Sequence, residues 1–273
     1  MLARSSFAPL SLSKAELKRL KLLDTKKGRE STGLFLVEGW KPAAEALASS
    51  WEVVSLIHDP KRLSDLRDEV LRACAAKHVE IKTASAADMR TLSDVVHDQG
   101  VVSVIRMRTS ALRDLPPAGD VIILDGVSDP GNVGTLVRTA DWFGFSAVIA
   151  GPGCASPYNE KVVRATMGSI FRVPITAVED LAQACQSLKS SGFSLTGAVL
   201  DGVSRQSWLT PARTGLVLGS EAHGLSAEVR SLLTATVTIP RVGAAESLNV
   251  ASAGAILMAS MAEQRTRTKH ASR

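Results

Sequence analysis

Aromatic side chains are scarce in this sequence, at 4% of 273 residues with a single tyrosine. A core built from it must be filled mainly by Leu, Val, Ile and Ala. There are three cysteines, Cys74, Cys154 and Cys185, and they lie far apart. An odd, scattered set excludes a disulfide framework, and with no Cys-x-x-Cys pair there is no zinc-site spacing. No apolar run reaches the roughly 20 residues needed to cross a bilayer. The segment Met1–Lys14 lacks the continuous apolar stretch of a secretory leader. It contains serines and no acids, so an organelle transit peptide is the minor alternative to a reducing cytoplasmic setting. Gly-x-Gly-x-x-Gly and a lysine-bearing phosphate loop are also missing, which argues against a dinucleotide or nucleotide-phosphate site.

The 45% hydrophobic and 22% charged residues are those of a globular protein. The chain is basic, with net charge +5 and pI about 9.3, which favours an anionic partner. Much of the excess lies at the start, where Met1 to Arg29 hold eight Lys and Arg against Glu16 and Asp24. Helical spacing over Ser13–Leu23 puts Leu17, Leu20 and Leu23 on one stripe. The cations are then the solvated face of that helix, a phosphate-facing arm, or both.

Alternating elements follow. Strands are expected at 34–37, 51–58, 79–81 and 101–107, with helices ending at Ala48 and spanning 63–77 and 85–91. In the last of these Ser85 stands in the cap position with Asp88 three residues on. This pattern gives a first α/β domain over 1–108. Residues 109–119, with Pro116, Pro117 and Gly119, read as a linker. A second α/β domain over 120–265 opens with Val121–Leu124, an apolar run without alternation, as in a buried parallel strand. Further strands are expected at 147–150, 173–175, 194–199, 215–218 and 235–239. Helices are expected at 132–143, 160–169, 178–189 and 247–263, followed by a frayed polar tail from Gln264 and a basic end over 266–273.

Three segments carry the chemistry. The first, Leu124 to Ala140, joins a strand to a helix, where parallel sheets place ligands. It contains Gly131, Asn132, Gly134 and Arg138; an arginine flanked by apolar Val137 and small Thr139-Ala140 calls for a carboxylate or phosphate partner. The second, Leu216 to Ser226, runs from a buried strand into a turn containing Gly219, Glu221, His223 and Gly224. Glu221 is placed to pair with Arg138 or orient a ligand amine, and His223 reads better as a structural donor than as a base. The third is Ile239-Pro240 followed by Glu246 to Ala253, where Ser247 suits the N-cap of the last helix. Small residues Ala251–Ala255 suit close packing or a dimer face, and Asn249 suits a bond to backbone or ligand.

Together these segments resemble the three motifs of the SpoU (TrmH) family of RNA ribose methyltransferases, within the SPOUT superfamily. Asn132-x-Gly134-x-x-x-Arg138 with Phe143-Gly144 is similar to the first motif, Leu218–Leu225 to the second, and Ile239-Pro240 with Ser247–Ala251 to the third. Lys161 to Pro174 is similar to the stretch between them. The first domain resembles the family's L30e-like substrate-binding domain through Lys26–Arg29, Phe35–Gly39 and Gln99-Gly100.

The resemblance implies a parallel-sheet domain closed by a C-terminal trefoil knot, a homodimer, and transfer of a methyl group from S-adenosylmethionine to a ribose 2′-oxygen. It implies donor contacts at Leu218, Gly219, Glu221, Ile239, Pro240, Ser247 and Leu248, and catalysis by Arg138 with Asn132, Glu221, Ser247 and Asn249. RNA contacts are expected at Lys27, Arg29, Arg138, Arg164 and Arg172, and neither a metal nor a membrane is expected. Ribosomal RNA is the preferred substrate and transfer RNA the alternative. A non-catalytic RNA-binding or ribosome-assembly protein is the competing class, and a nicotinamide oxidoreductase a distant third.

Overall fold

The computed structural model describes residues 10–93, 99–108, 112 and 119–271, with side chains through Arg267. The expected linker falls almost wholly outside them, as do Arg4 and the last basic side chains. The chain forms two compact units, one reaching to Arg108 and including Tyr158–Glu160, the other formed by the remainder.

The first unit holds β1 (Leu10–Ser11), α1 (Lys14–Lys21), a 3-10 turn (Leu22–Asp24), α2 (Lys26–Thr32), β2 (Leu34–Glu38), α3 (Trp40–Ala48), β3 (Val53–His58), α4 (Arg67–Ala76), β4 (Glu80–Thr83), α5 (Ala86–Leu92) and β5 (Val101–Arg106). Its sheet has the order β1-β4-β3-β5-β2, with β5 antiparallel to both neighbours. Ser85 caps α5 through the Asp88 amide, as the sequence predicts, and Ser13 and Glu16 cap α1 reciprocally.

Helix α2 is an element that hydrophobic periodicity does not announce. The Thr25 hydroxyl accepts from the Gly28 amide at 3.0 Å, and Gly33 at φ +66° ends the helix. Arg29, expected to meet RNA, is instead 3% exposed and donates to the Leu23 and Asp24 carbonyls at 2.8 and 2.9 Å. Those carbonyls belong to a tight turn with few helical partners, and the guanidinium satisfies them.

The second unit holds β6 (Val121–Asp125), α6 (Pro130–Trp142), β7 (Ala147–Ala150), α7 (Glu160–Thr166, with Glu160 counted in the first unit), β8 (Ile175–Ala177), α8 (Leu181–Ser190), β9 (Ser194–Ser204), β10 (Thr214–Gly219), α9 (Ala227–Ser231), β11 (Ala235–Thr238) and α10 (Val250–Ala271). All six strands are parallel in the order β11-β9-β10-β6-β7-β8. Val121 to Leu124 are fully buried because helices cover both faces. Val121 and Ile123 pack with Leu181, Cys185 and Leu188 of α8.

Among the boundaries that differ from expectation, two have a clear physical cause. Helix α7 stops at Thr166 because Met167 and Gly168 both take positive φ, 50° and 89°. Helix α10 continues through the tail that composition marks as frayed. Gln264 donates to the Trp208 carbonyl at 3.0 Å, and Arg265 grips Asp120 at 2.7 and 3.0 Å while also reaching the Thr210 carbonyl at 3.1 Å. Asp120 is 9% exposed and also accepts the Thr214 amide at 2.8 Å, so the pair fastens the last helix to the starts of β6 and β10.

Replacing Arg265 by Ala strands a largely buried carboxylate. The expected loss is about 2–4 kcal/mol, read as a fall of roughly 5–10 °C in the unfolding midpoint, with Arg265→Lys restoring only part. A second prediction concerns acid. A hydrogen bond from Lys82, with further bonds from Ser13, holds the Glu16 carboxyl at about 2, below its ordinary 4.5. Its stabilisation is therefore complete above its unfolded value and lost as pH falls from about 5 towards 2. The difference in melting temperature between wild type and Glu16→Gln should shrink across that window.

Candidate active site

Strands β6 and β10 are neighbours, with Gly219 in register with Asp125. The order of the sheet reverses between them, since β7 and β8 extend to one side and β9 and β11 to the other. Loops leaving such a pair diverge and open a crevice at the carboxyl edge. Here the loops are the first and second motifs. The Ser226 amide donates to Asp125 Oδ2 at 2.7 Å, tying the second loop to the end of β6.

On the first loop, Asp129 caps α6 by accepting from the Asn132 amide at 2.7 Å, with Pro130 opening the helix. This Asp-Pro pair was legible as a helix start, and sequence reasoning placed the start two residues late. On the second loop, the Ser220 hydroxyl accepts from the Ala222 and His223 amides at 3.2 and 3.3 Å. The Ser220 and Gly224 backbones pair at 3.0 and 2.8 Å, so Glu221 and His223 are held outward on a closed turn.

The third motif returns to the first. Asn249 Oδ1 accepts from the Ala251 and Ser252 amides at 2.9 and 3.2 Å, making Asn249 the cap of α10 in place of Ser247. An amide oxygen reaches those donors from the residue directly before the helix, whereas Ser247 lies two residues further out. Asn249 Nδ2 then donates to Asn132 Oδ1 at 3.0 Å, and Asn132 Nδ2 donates to Glu221 Oε1. The polarity is self-consistent. With its oxygen committed to helix amides, Asn249 can offer only its NH2, and Asn132 can offer only its own to a carboxylate that accepts.

Arg138 stands apart from this chain of bonds. It lies six residues beyond Asn132 on α6, is exposed, and makes no hydrogen bond or ion pair among the described residues. The expected pairing of Glu221 with Arg138 is replaced by that of Glu221 with Asn132, because six residues turn the two side chains to different faces of the helix. Arg138 shares its face with Thr135 and with Trp142, which is 83% exposed.

Of the other expected contacts, Leu218 is 1% exposed and packs beneath α10 near Gly254, where a Cβ would meet Leu136 at 2.4 Å. Ile239 is half-buried, while residues 240–249, including Pro240, Ser247 and Leu248, form an exposed loop. Arg172 is engaged by Asp141 at 2.8 Å, an oxygen that also accepts from Ser169 at 2.7 Å. Arg164 is half-buried and Lys27 exposed. The last turn of β9 was missed. Its Leu200 carbonyl accepts from Thr238 Oγ1 at 3.1 Å, which sets an exposed Leu200 beside the end of β11, and no motif signals it.

Burial pushes the Cys74 and Cys185 thiols up to about 11 and raises that of Cys154, so these thiols are protonated at neutral pH and none is a ready nucleophile. Among the described residues no cluster of His, Cys, Asp and Glu could hold a metal ion, and no helix is long and apolar enough to cross a membrane.

Residues 120–259, which span all three loops, match the SpoU rRNA Methylase family. The chain belongs to that family. Residues 14–103 match the MRM3-like substrate binding domain. This SpoU-family chain is 33% identical to a 23S rRNA (guanosine(2553)-2′-O)-methyltransferase of Bacillus subtilis, over 91% of this chain and 96% of that one. The rRNA methyltransferase of Sinorhizobium meliloti, solved with AdoMet bound, superposes with a TM-score of 0.84 at 30% identity, covering 94% and 97% of the two chains. AviRb of Streptomyces viridochromogenes, a SpoU methyltransferase solved with AdoMet, gives 0.83 at 28% identity, covering 93% and 99%.

The two functions of Asn249 are separable. Asn249→Asp keeps the capping oxygen but loses the donor to Asn132, so the melting temperature should hold while the site is disrupted. Asn249→Ala loses both, and thermal melting should show a further destabilisation of about 1 kcal/mol.

Proposed function

We propose that this SpoU-family protein is an S-adenosylmethionine-dependent methyltransferase acting on a ribose 2′-hydroxyl of ribosomal RNA, and that it works in the cytoplasm as a homodimer. The observation that carries this reading is the run Glu221–Asn132–Asn249, which gathers the three family motifs at the carboxyl edge of a parallel sheet. Relatives along nearly the whole chain bear the names of 23S rRNA 2′-O-methyltransferases.

The residues fit such a donor. An exposed carboxylate at Glu221 suits a molecule with a sulfonium and an ammonium charge, and Leu248, 49% exposed, offers apolar surface to a purine. Leu218, Gly219, Ile239, Pro240 and Ser247 complete the holding set. When bound, S-adenosylmethionine supplies an activated methyl group. The protein's own task is to align the ribose oxygen and to let its proton leave. A guanidinium is a permanent cation and a poor base. Arg138 therefore holds the phosphate next to the target ribose, and that phosphate takes the hydroxyl proton. Asn132 keeps Glu221 and Asn249 in place and so fixes the walls of the site.

An exposed Arg138 with no partner among the described residues supports pairing of helix faces through Thr135, Arg138 and Trp142 in a dimer. The path of the chain supports the trefoil knot. Strand β11 lies at the far edge of the sheet, yet α10 returns to pack on α6 and β10.

Arg138→Ala should lower methyl transfer to ribosomal RNA by about a thousandfold while donor affinity stays within about twofold. Labelled donor, mapped to an alkali-resistant linkage, reads the first quantity and calorimetry the second. Full activity of the variant would remove Arg138 from the mechanism.

A further inference from the structure

The basic start of the chain can be resolved cation by cation. Between Leu10 and Glu30 there are seven Lys and Arg. Lys14 pairs with Asp88 at 2.6 Å, Lys21 with Asp24 at 2.7 Å and Lys26 with Glu30 at 3.7 Å. Arg29 is buried on the Leu23 and Asp24 carbonyls. The three that remain, Lys18, Arg19 and Lys27, are exposed and make no ion pair or hydrogen bond among the described residues.

These three are neighbours for a steric reason. Lys18 and Arg19 lie four and three residues before Leu22, which puts all three on one side of α1 and its 3-10 extension. Gly28 sits directly on the Leu22 backbone, where a Cβ would come within 1.9 Å of the Leu22 carbonyl oxygen. Only glycine permits that approach, and it brings Lys27, one residue earlier, up to the same turn. Leu22 itself is 53% exposed, although it follows an amphipathic helix whose other leucines turn inward. The stretch Lys26–Arg29 thus divides into Gly28 and Arg29, which build the turn, Lys26, which is paired, and Lys27, which has no partner among the described residues.

We propose that Lys18, Arg19 and Lys27, set around Leu22, form the surface by which this unit holds the sugar–phosphate backbone of the substrate RNA. The inference rests on the methyltransferase reading for the identity of that RNA. Two cations one turn before an exposed Leu22, and a third beside the glycine that touches the Leu22 backbone, suit successive phosphates with a ribose between them. Lysine and arginine contacts of this kind go to phosphates, which position a nucleic acid without reading its bases, so the contact is independent of sequence.

The test is equilibrium binding of deproteinised large-subunit ribosomal RNA over a range of salt concentrations. It compares wild type, the triple variant Lys18→Ala/Arg19→Ala/Lys27→Ala, and Lys14→Ala. The triple variant should lose about 2 from the slope of log K against log salt, and at least about tenfold in affinity near 0.1 M salt. Its melting temperature and donor affinity should be unchanged, and in turnover KM for RNA should rise while kcat at saturating RNA is retained. Lys14→Ala should keep the wild-type slope, because Asp88 already neutralises that charge. An unchanged slope in the triple variant overturns the proposal, and so does an equal loss in Lys14→Ala, which would reduce the effect to net charge. Absence of methyl transfer by the wild type would instead overturn the methyltransferase reading and leave the binding result standing.

Discussion

The carboxamide of Asn132 is the constraint around which the second unit is organised. It receives a hydrogen bond from a residue 117 positions later and gives one to a residue 89 positions later. Each of its two ends has one chemically sensible partner, because Asn249 has committed its oxygen to the start of α10 and Glu221 can only accept. One planar group therefore sets the relative position of three loops, because a carboxamide carries an acceptor and a donor fixed on one plane.

That geometry requires rigid supports. Asp129 fixes Asn132 on the first turn of α6, and the closed Ser220–Gly224 turn fixes Glu221. Asn249 depends on where α10 lies, and α10 is set at both ends. Near its start Gly254 lets it settle onto Leu136 and Leu218, and near its end Arg265 is bound to Asp120 at the opposite edge of the sheet. A helix so anchored can hold the exposed loop 240–249 over the carboxyl edge without that loop packing into a core of its own.

The division of labour among arginines follows from burial and partners rather than from charge alone. Arg29 and Arg265 satisfy backbone carbonyls and a buried carboxylate, and Arg172 is occupied by Asp141. Arg138 remains exposed, available to a phosphate or to a second copy of the chain. Counting basic residues along the sequence treats these four as equivalent, but the fold places them in different environments.

Periodicity and apolar runs disclosed both α/β units, most strand positions and the Ser85 cap, because these depend on neighbours within a few residues. The three loop motifs were legible for the same reason, each being a short local pattern. Helix α2 was not, since it is seven residues long and held by Thr25 and Gly28 rather than by an apolar stripe. The persistence of α10 through Arg265, the capping by Asn249 and the burial of Arg29 also escaped the sequence. Each depends on a partner that the chain brings close only after folding: Asp120 for Arg265, Asn132 for Asn249, and the carbonyls of a tight turn for Arg29. The sequence by itself determined which groups are present and which segments are helix or strand. Only the tertiary structure decided which charges are neutralised and which remain free, because a charge is quenched by proximity in space, and residues 74 to 145 positions apart have no fixed proximity until the sheets and helices pack.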